Sequence, residues 1–143
     1  MLKIAIVEDE ESYISVLQEY LERYRKESGE SMEITVYRDG DAITASYRAQ
    51  FDIILMDIEM KFVDGMTAAE EIRRVDSEVI IIFITNMTQY AIRGYEVDAM
   101  DYVLKPVSYF AFSQKIKKAV AKLQKRKDAY ITIQIKGGMV RVN

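Results

Sequence analysis

Five short apolar runs, each followed by a longer amphipathic stretch, most constrain the fold of this chain of 143 residues. The runs are Leu2–Val7, Glu33–Tyr37, Asp52–Met56, Glu78–Ile84 and Asp101–Leu104. Strands that alternate with helices predict a parallel sheet with helices on both of its faces. Because crossover connections are right-handed, few windings of five such units are available. We therefore expect one doubly wound α/β domain over residues 1 to about 127.

The pattern changes beyond the last predicted helix, which begins near the potential N-cap Ser108. Tyr130–Ile135 alternates with a period of two, Lys136-Gly137-Gly138 supplies a turn, and Met139–Val142 alternates again. This pattern predicts a β-hairpin. Since a hairpin of two strands is only marginally stable in water, we expect it to open a second domain.

The chain has no cysteine and no histidine. Disulfides, thiolate nucleophiles, imidazole bases and cysteine- or histidine-ligated metals are therefore excluded, and chemistry is left to carboxylates, hydroxyls, lysine or a hard metal ion. The net charge of −3 argues weakly against a dedicated nucleic-acid binder. No apolar run reaches the ~20 residues of a membrane span, so we expect no membrane partner. Because the sequence has no cysteine and no recognisable export signal, we expect a cytoplasmic protein.

Polar residues whose side chains could take part in catalysis or binding follow four of the predicted strands. Glu8 and Asp9 follow the first strand, Asp57 the third, Thr85 the fourth and Lys105 the fifth. Ligands of open α/β sheets bind beyond the carboxyl ends of the strands, so these side chains are expected to converge. Each of them alone has a plainer interpretation as a helix cap, a strand end or a solvated lysine. Their joint occurrence in this order indicates a site.

The predicted cluster of acids indicates a site for a cation and for phosphoryl transfer. Neighbouring carboxylates repel one another unless a cation compensates them. A set of oxygen ligands favours Mg²⁺ over zinc. Asp57 could then attack phosphorus and form an aspartyl phosphate, while Lys105 and the metal balance the charge of the phosphoryl group. Thr85 could donate a hydrogen bond to a phosphoryl oxygen.

These residues lie in motifs that resemble the receiver domains of two-component response regulators. The motifs are Ile-Val-Glu8-Asp9-Glu10, Leu-Met-Asp57-Ile-Glu-Met, Asp64-Gly65, Phe-Ile-Thr85-Asn and Tyr102-Val-Leu-Lys105-Pro106. The resemblance covers residues 1 to about 125. It implies a flavodoxin-like receiver fold, with a five-stranded parallel sheet of order 2-1-3-4-5 and helices on both faces.

The resemblance also implies roles in phosphoryl transfer. Asp57 is expected to be the phospho-acceptor, and Lys105 to bind the phosphoryl group. Glu8, Asp9 and Asp57 are expected to hold Mg²⁺ together with the backbone carbonyl of Glu59. A protein of this family is a phospho-acceptor switch rather than an enzyme, and its phosphoryl donor is a sensor histidine kinase.

A second set of implied roles concerns switching. Thr85 and Tyr102 are expected to form the switch pair, with Tyr102 filling the space that Thr85 leaves when it moves toward the phosphate. A cis peptide bond is expected before Pro106. Asn86 and Met87 depart from the commonest receiver residues, and we expect slow autodephosphorylation as a result.

Two segments resemble the LytTR subgroup in particular. One is Tyr90-Ala-Ile-Arg-Gly-Tyr-Glu-Val-Asp-Ala-Met-Asp-Tyr-Val-Leu-Lys-Pro, and the other is the tail from Tyr130 to Val142. They imply a receiver domain over 1–127, and a linker with the first hairpin of a truncated LytTR-like DNA-binding domain over 128–143. The full-length parent would then regulate transcription, bind DNA only through the missing domain and form a homodimer on phosphorylation.

Two other classes, both enzymes, stay open at this point, and a third class is disfavoured. A Mg²⁺-dependent nucleic-acid enzyme of the Toprim kind also clusters acids after its strands, and Asp57-Ile58-Glu59 imperfectly mimics its acidic pair. That interpretation leaves Thr85 and Lys105 without a role. A hydrolase of the haloacid dehalogenase kind needs Asp-x-Asp near the first strand, which residues 8–12 do not supply. A pure interaction domain is disfavoured because all the site groups are intact.

Overall fold

The computed structural model describes residues 1–88 and 91–136 of the chain. The strands are β1 Leu2–Val7, β2 Met32–Tyr37, β3 Ile53–Met56, β4 Ile80–Thr85 and β5 Asp101–Leu104. The helices are α1 Glu11–Ser28, α2 Gly40–Thr44, α3 Gly65–Val75, α4 Ala91–Glu96 and α5 Tyr109–Lys136. The strands form one parallel sheet of order β2-β1-β3-β4-β5, which confirms the predicted fold class.

The two faces of the sheet bury separate apolar clusters. In β3, Ile54 and Met56 pack in the cluster that contains α3 residues, whereas Ile53 and Leu55 pack in the cluster that contains α1 and α5 residues. Successive strand side chains point to opposite faces, so a strand that is covered on both sides must be apolar at every position. All residues of β3 and β4 are buried, and all of them are apolar except Thr85 at the end of β4.

Local signals define several helix ends. Asp64 caps α3, where its carboxylate accepts a hydrogen bond from the Thr67 N–H (2.7 Å). The predicted N-cap Ser108 accepts from the Ala111 N–H (3.1 Å) at the start of α5. Gly29 ends α1 with a φ of 76°, a left-handed conformation in which its N–H reaches the Arg25 carbonyl.

The predicted strand over Tyr130–Ile135 is wrong, because these residues continue α5 as far as Lys136. The side chains of Ile131, Ile133 and Ile135 are all exposed, so these alternating apolar residues are not buried against the rest of the described structure. A strand needs a partner for its backbone groups, whereas a helix satisfies them within its own segment. The rest of the predicted hairpin, from Gly137 through Met139–Val142, lies outside the described residues.

None of the helices in the described part of the chain, the 28-residue α5 included, combines the length and the apolar character that crossing a membrane requires.

Candidate functional site

The parallel sheet brings the predicted site residues to one edge. Glu8 follows β1, and Asp57 follows β3, which pairs with β1 so that Val7 lies opposite Met56. The Asp57 N–H donates to the Val7 carbonyl (2.9 Å) and extends this pairing to the site itself. Lys105 follows β5, and its N–H donates to the carbonyl of Thr85 at the end of β4 (2.8 Å).

Three carboxylates form the centre of the site. Glu8, Asp9 and Asp57 each offer one oxygen, and these oxygens lie within 4.8 Å of one another. Glu8 and Asp57 are buried, whereas Asp9 is exposed. A cluster of oxygen donors with one face open to water fits Mg²⁺, which prefers carboxylates and retains several of its waters.

Lys105 is the cation that faces this cluster. Its Nζ lies 2.6 Å from Glu8 Oε1 and 3.1 Å from Asp57 Oδ2, and only 5% of its side chain is exposed. Burial opposes the charged form of Lys105, but the hydrogen bond to Glu8 and the charge of Asp57 outweigh it and raise the lysine pKa. The ammonium group therefore stays charged beside Asp57.

The carboxylates are incompletely neutralised. Burial raises the pKa of Glu8 to about 7, and the charge of Asp57 adds to this rise, although the hydrogen bond from Lys105 works against it. Among the described residues, Lys105 forms ion pairs with Glu8 and Asp57 but not with Asp9. The carboxylate of Asp9 that is left without an ion pair gives a divalent cation an electrostatic reason to bind here.

The backbone around Asp57 is closely packed. Asp57 Oδ1 accepts a hydrogen bond from the Ile58 N–H (2.7 Å). Gly65 donates its N–H to the Ile58 carbonyl (2.8 Å), and a Cβ atom at Gly65 would lie only 2.0 Å from the Asp57 carbonyl oxygen. The Asp64-Gly65 motif thus allows the start of α3 to approach the backbone of the site.

Thr85 and Tyr102 are linked through one residue of the connection after β4. Thr85 is fully buried, and its Oγ1 accepts a hydrogen bond from the Met87 N–H (3.2 Å). The Tyr102 hydroxyl donates to the Met87 carbonyl, and its ring packs against Phe83 at 5.8 Å between centroids. A movement of Thr85 would therefore disturb the same segment that Tyr102 holds.

The peptide bond between Lys105 and Pro106 is cis, as the family resemblance implied. Glu59 follows the buried Ile58, and its side chain is exposed. Among the described residues, the group of acids close enough to share a metal is Glu8, Asp9 and Asp57, without Glu59.

Sequence reasoning missed the part that Asp39 plays beside the site. This buried carboxylate accepts hydrogen bonds from the N–H groups of Phe62 and Val63 (2.8 Å each) and of Asp41 (3.2 Å). Burial opposes its ionisation, but the three N–H donors outweigh burial and lower its pKa. Asp39 before Gly40 is a capping signal for α2, yet nothing local in the sequence indicates its partners in the connection after β3.

Sequence reasoning also missed the contacts that Tyr13 makes with Lys105 and Val107. Lys105 Nζ lies 4.3 Å from the centroid of the Tyr13 ring, and the Tyr13 hydroxyl accepts a hydrogen bond from the Val107 N–H (3.1 Å). The helical spacing of α1 marks its buried face but gives no sign of these contacts.

Comparisons with known proteins find a matching family and several related sequences. The family described as "Response regulator receiver domain" matches residues 4–126. The sensory transduction protein LytT of Bacillus cereus is 33% identical over 144 residues, which cover 99% of this chain and 56% of LytT. The chain spans about half the length of the curated relatives that it matches first.

Solved structures show the same fold. The response regulatory domain of the protein mrkE from Klebsiella pneumoniae superposes with a TM-score of 0.76 at 27% identity, over 87% of this chain and 99% of that one. The response regulator TrrA from Thermotoga maritima, solved in complex with Mg²⁺ and BeF, superposes with a TM-score of 0.70 at 27% identity, over 83% of this chain and 99% of that one.

Proposed function

Because this chain belongs to the response regulator receiver family, we propose that it is a phosphorylation switch in which Asp57 accepts a phosphoryl group from a sensor histidine kinase. The observation that carries this proposal is the position of Lys105, whose ammonium group bridges Glu8 and Asp57 beside the exposed Asp9. This arrangement places a carboxylate nucleophile, that of Asp57, next to the fixed positive charge of Lys105.

In the proposed reaction, a carboxylate oxygen of Asp57 attacks the phosphorus of a phosphohistidine. A new P–O bond forms, the P–N bond breaks, and the donor histidine, protonated on its other ring nitrogen, leaves as a neutral imidazole with the electron pair of that bond. No base is needed, because an ionised carboxylate has no proton to lose. Lys105 is close enough to Asp57 to neutralise the equatorial oxygens of the phosphoryl group during transfer.

We further propose Mg²⁺ as the resident cation. Glu8, Asp9, Asp57 and the backbone carbonyl of Glu59 would hold it, and the bound ion would supply positive charge to the phosphoryl oxygens. The cluster of three carboxylates supports this assignment. The complex of the related TrrA with Mg²⁺ and BeF supports it as well.

The proposed readout starts at Thr85. Phosphorylation adds nearly two negative charges to the site, and the Thr85 hydroxyl can donate a hydrogen bond to one of the new oxygens. Thr85 would then release the Met87 N–H, while Tyr102 moves with the segment it holds. We propose that this change alters the surface around α4 and β5 and promotes a homodimer.

The proposal for the whole protein extends beyond these residues. Residues 1–127 would form the receiver domain, and residues 128–143 would connect it to a LytTR-type DNA-binding domain that regulates transcription in the cytoplasm. The similarity to LytT over 99% of this chain supports this organisation. The long α5, which reaches Lys136, supports a helical rather than a hairpin connection over its described part.

The decisive test is intact mass after incubation with acetyl phosphate and Mg²⁺. The wild type should gain about 80 Da, the mass of one phosphoryl group, and Asp57→Asn should gain nothing. Asp128→Asn is the matched control, because it makes the same change at an exposed residue of α5. An equal gain in Asp57→Asn would contradict the assignment of the acceptor.

The same assay can follow the loss of the phosphoryl group over time. We propose slow autodephosphorylation, because Asn86 would narrow access to the acyl phosphate and Met87 offers no polar side chain to orient water. A half-life of seconds for the phosphorylated wild type would contradict this part of the proposal.

A further inference from the structure

We propose that Tyr13 is a positioning residue that holds Lys105 in place for phosphoryl transfer, an inference that rests on the proposed function. Tyr13 lies in the first turns of α1 and contacts the segment after β5 in two ways. Its ring faces the Lys105 ammonium group, and its hydroxyl binds the backbone two residues further along the chain.

The first contact is electrostatic. The Lys105 Nζ lies 4.3 Å from the Tyr13 ring centroid, well within the ~6 Å at which a cation is attracted to an aromatic face. Only 5% of the Lys105 side chain is exposed, so little water competes for the ammonium group. The ring therefore provides a third contact for Nζ, in addition to Glu8 and Asp57.

The second contact fixes the backbone. Tyr13 accepts a hydrogen bond from the Val107 N–H (3.1 Å), and the Tyr20 hydroxyl donates one to the Val107 carbonyl (2.9 Å). Both polar backbone groups of Val107 are thus bound by tyrosines of α1. On the other side, the Lys105 N–H is bound to the Thr85 carbonyl. The two residues Lys105 and Pro106 are therefore held between two anchored positions.

This arrangement has a consequence for the reaction. A lysine side chain loses considerable rotational freedom when it is fixed, and a charge that is already oriented need not reorganise during transfer. The Tyr13 ring limits the positions that the Lys105 ammonium group can take. The two hydrogen bonds to Val107 limit the positions of the Lys105 backbone. Loss of the ring should therefore slow phosphoryl transfer without changing the three carboxylates.

The test compares Tyr13→Leu, which removes the ring and the hydroxyl, with Tyr13→Phe, which keeps the ring. Tyr109→Phe is the matched control, because the Tyr109 hydroxyl binds the exposed Glu27 away from the site. With acetyl phosphate and Mg²⁺, the maximal phosphorylation rate of Tyr13→Leu should fall about five- to tenfold. Tyr13→Phe should recover most of this loss, and Tyr109→Phe should match the wild type.

A spectroscopic readout separates positioning from general loss of structure. The ring current of Tyr13 should shift the NMR signals of the Lys105 ε-methylene protons upfield in the wild type and in Tyr13→Phe. Tyr13→Leu should return them to the position of an ordinary lysine. The affinity for Mg²⁺, measured by calorimetry, should stay within about twofold of wild type, because the carboxylates are untouched. If Tyr13→Leu does not fold, Tyr13→Met tests the same contact.

The outcomes distinguish the two proposals. Phosphorylation of Tyr13→Leu at the wild-type rate, or an unshifted Lys105 signal in the wild type, would overturn the role of Tyr13 alone. A wild-type protein that gains no phosphoryl group would overturn the proposed function and this role with it. Slower transfer in Tyr13→Leu with recovery in Tyr13→Phe would support the inference.

Discussion

Replacing Gly65 by alanine tests how closely α3 packs against the site. An added Cβ would lie 2.0 Å from the Asp57 carbonyl oxygen, 2.9 Å from the Asp57 carbonyl carbon and 3.0 Å from the Ile58 Cα. All three are backbone atoms, so no flexible side chain can move aside. Ordinary contact begins near 3.4 Å, and the backbone must therefore shift by more than 1 Å.

The expected change in the free energy of unfolding of Gly65→Ala is the balance of opposing effects. Alanine is favoured over glycine in a helix by up to about 1 kcal/mol, which would stabilise the variant. Forcing extra volume into a packed site costs about 1–3 kcal/mol or more, and the hydrogen bond from Gly65 to Ile58 contributes about 1 kcal/mol that the shift would weaken. We expect a net loss of about 2 kcal/mol in the free energy of unfolding, which would lower the Tm by roughly 5–10 °C.

Urea unfolding followed by circular dichroism measures this loss. Gly94→Ala is the matched control, because its Cβ would meet the Tyr102 ring at an ordinary 3.5 Å, and no closer atom of the described residues, inside α4. The control should equal the wild type or gain up to about 1 kcal/mol. A Gly65→Ala midpoint equal to that of the wild type, or an equal loss in Gly94→Ala, would contradict the predicted clash.

Substitutions at three further positions test the surroundings of the site. The folded-state pKa of Glu8, about 7, exceeds its ordinary value of 4.5, so the folded chain binds the extra proton between them. Stability of the metal-free wild type should therefore fall as pH rises from 4.5 to 7, and Glu8→Gln should remove this component from urea midpoints measured across that range. Asp39→Ala removes the acceptor of three backbone N–H groups and should lose about 1–3 kcal/mol by urea unfolding, whereas Asp39→Asn should lose less. Arg73 donates to the carbonyls of Val97, Asp98 and Asp76, so Arg73→Met should speed amide hydrogen exchange between α4 and β5; unchanged exchange there would contradict this.

The sequence determines much of the sheet and of the candidate site. Continuous apolar runs such as Ile53–Met56 can be satisfied only where a strand is covered on both faces, and that requirement is local. Asp57 and Lys105 directly follow strands, so a parallel arrangement brings them to the same edge. Their convergence could therefore be predicted from the sequence.

Only the tertiary structure decided which long-range partners these groups find. The alternation over Tyr130–Ile135 is typical of a strand, but the described residues contain no partner strand for it. The backbone N–H and C=O groups therefore form their hydrogen bonds within a helix. Tyr13 and Val107 are 94 positions apart, and Asp39 binds N–H groups 23 and 24 positions away. Such contacts depend on the crossing of whole elements, because side-chain spacing along one helix or loop carries no information about what the fold places opposite it.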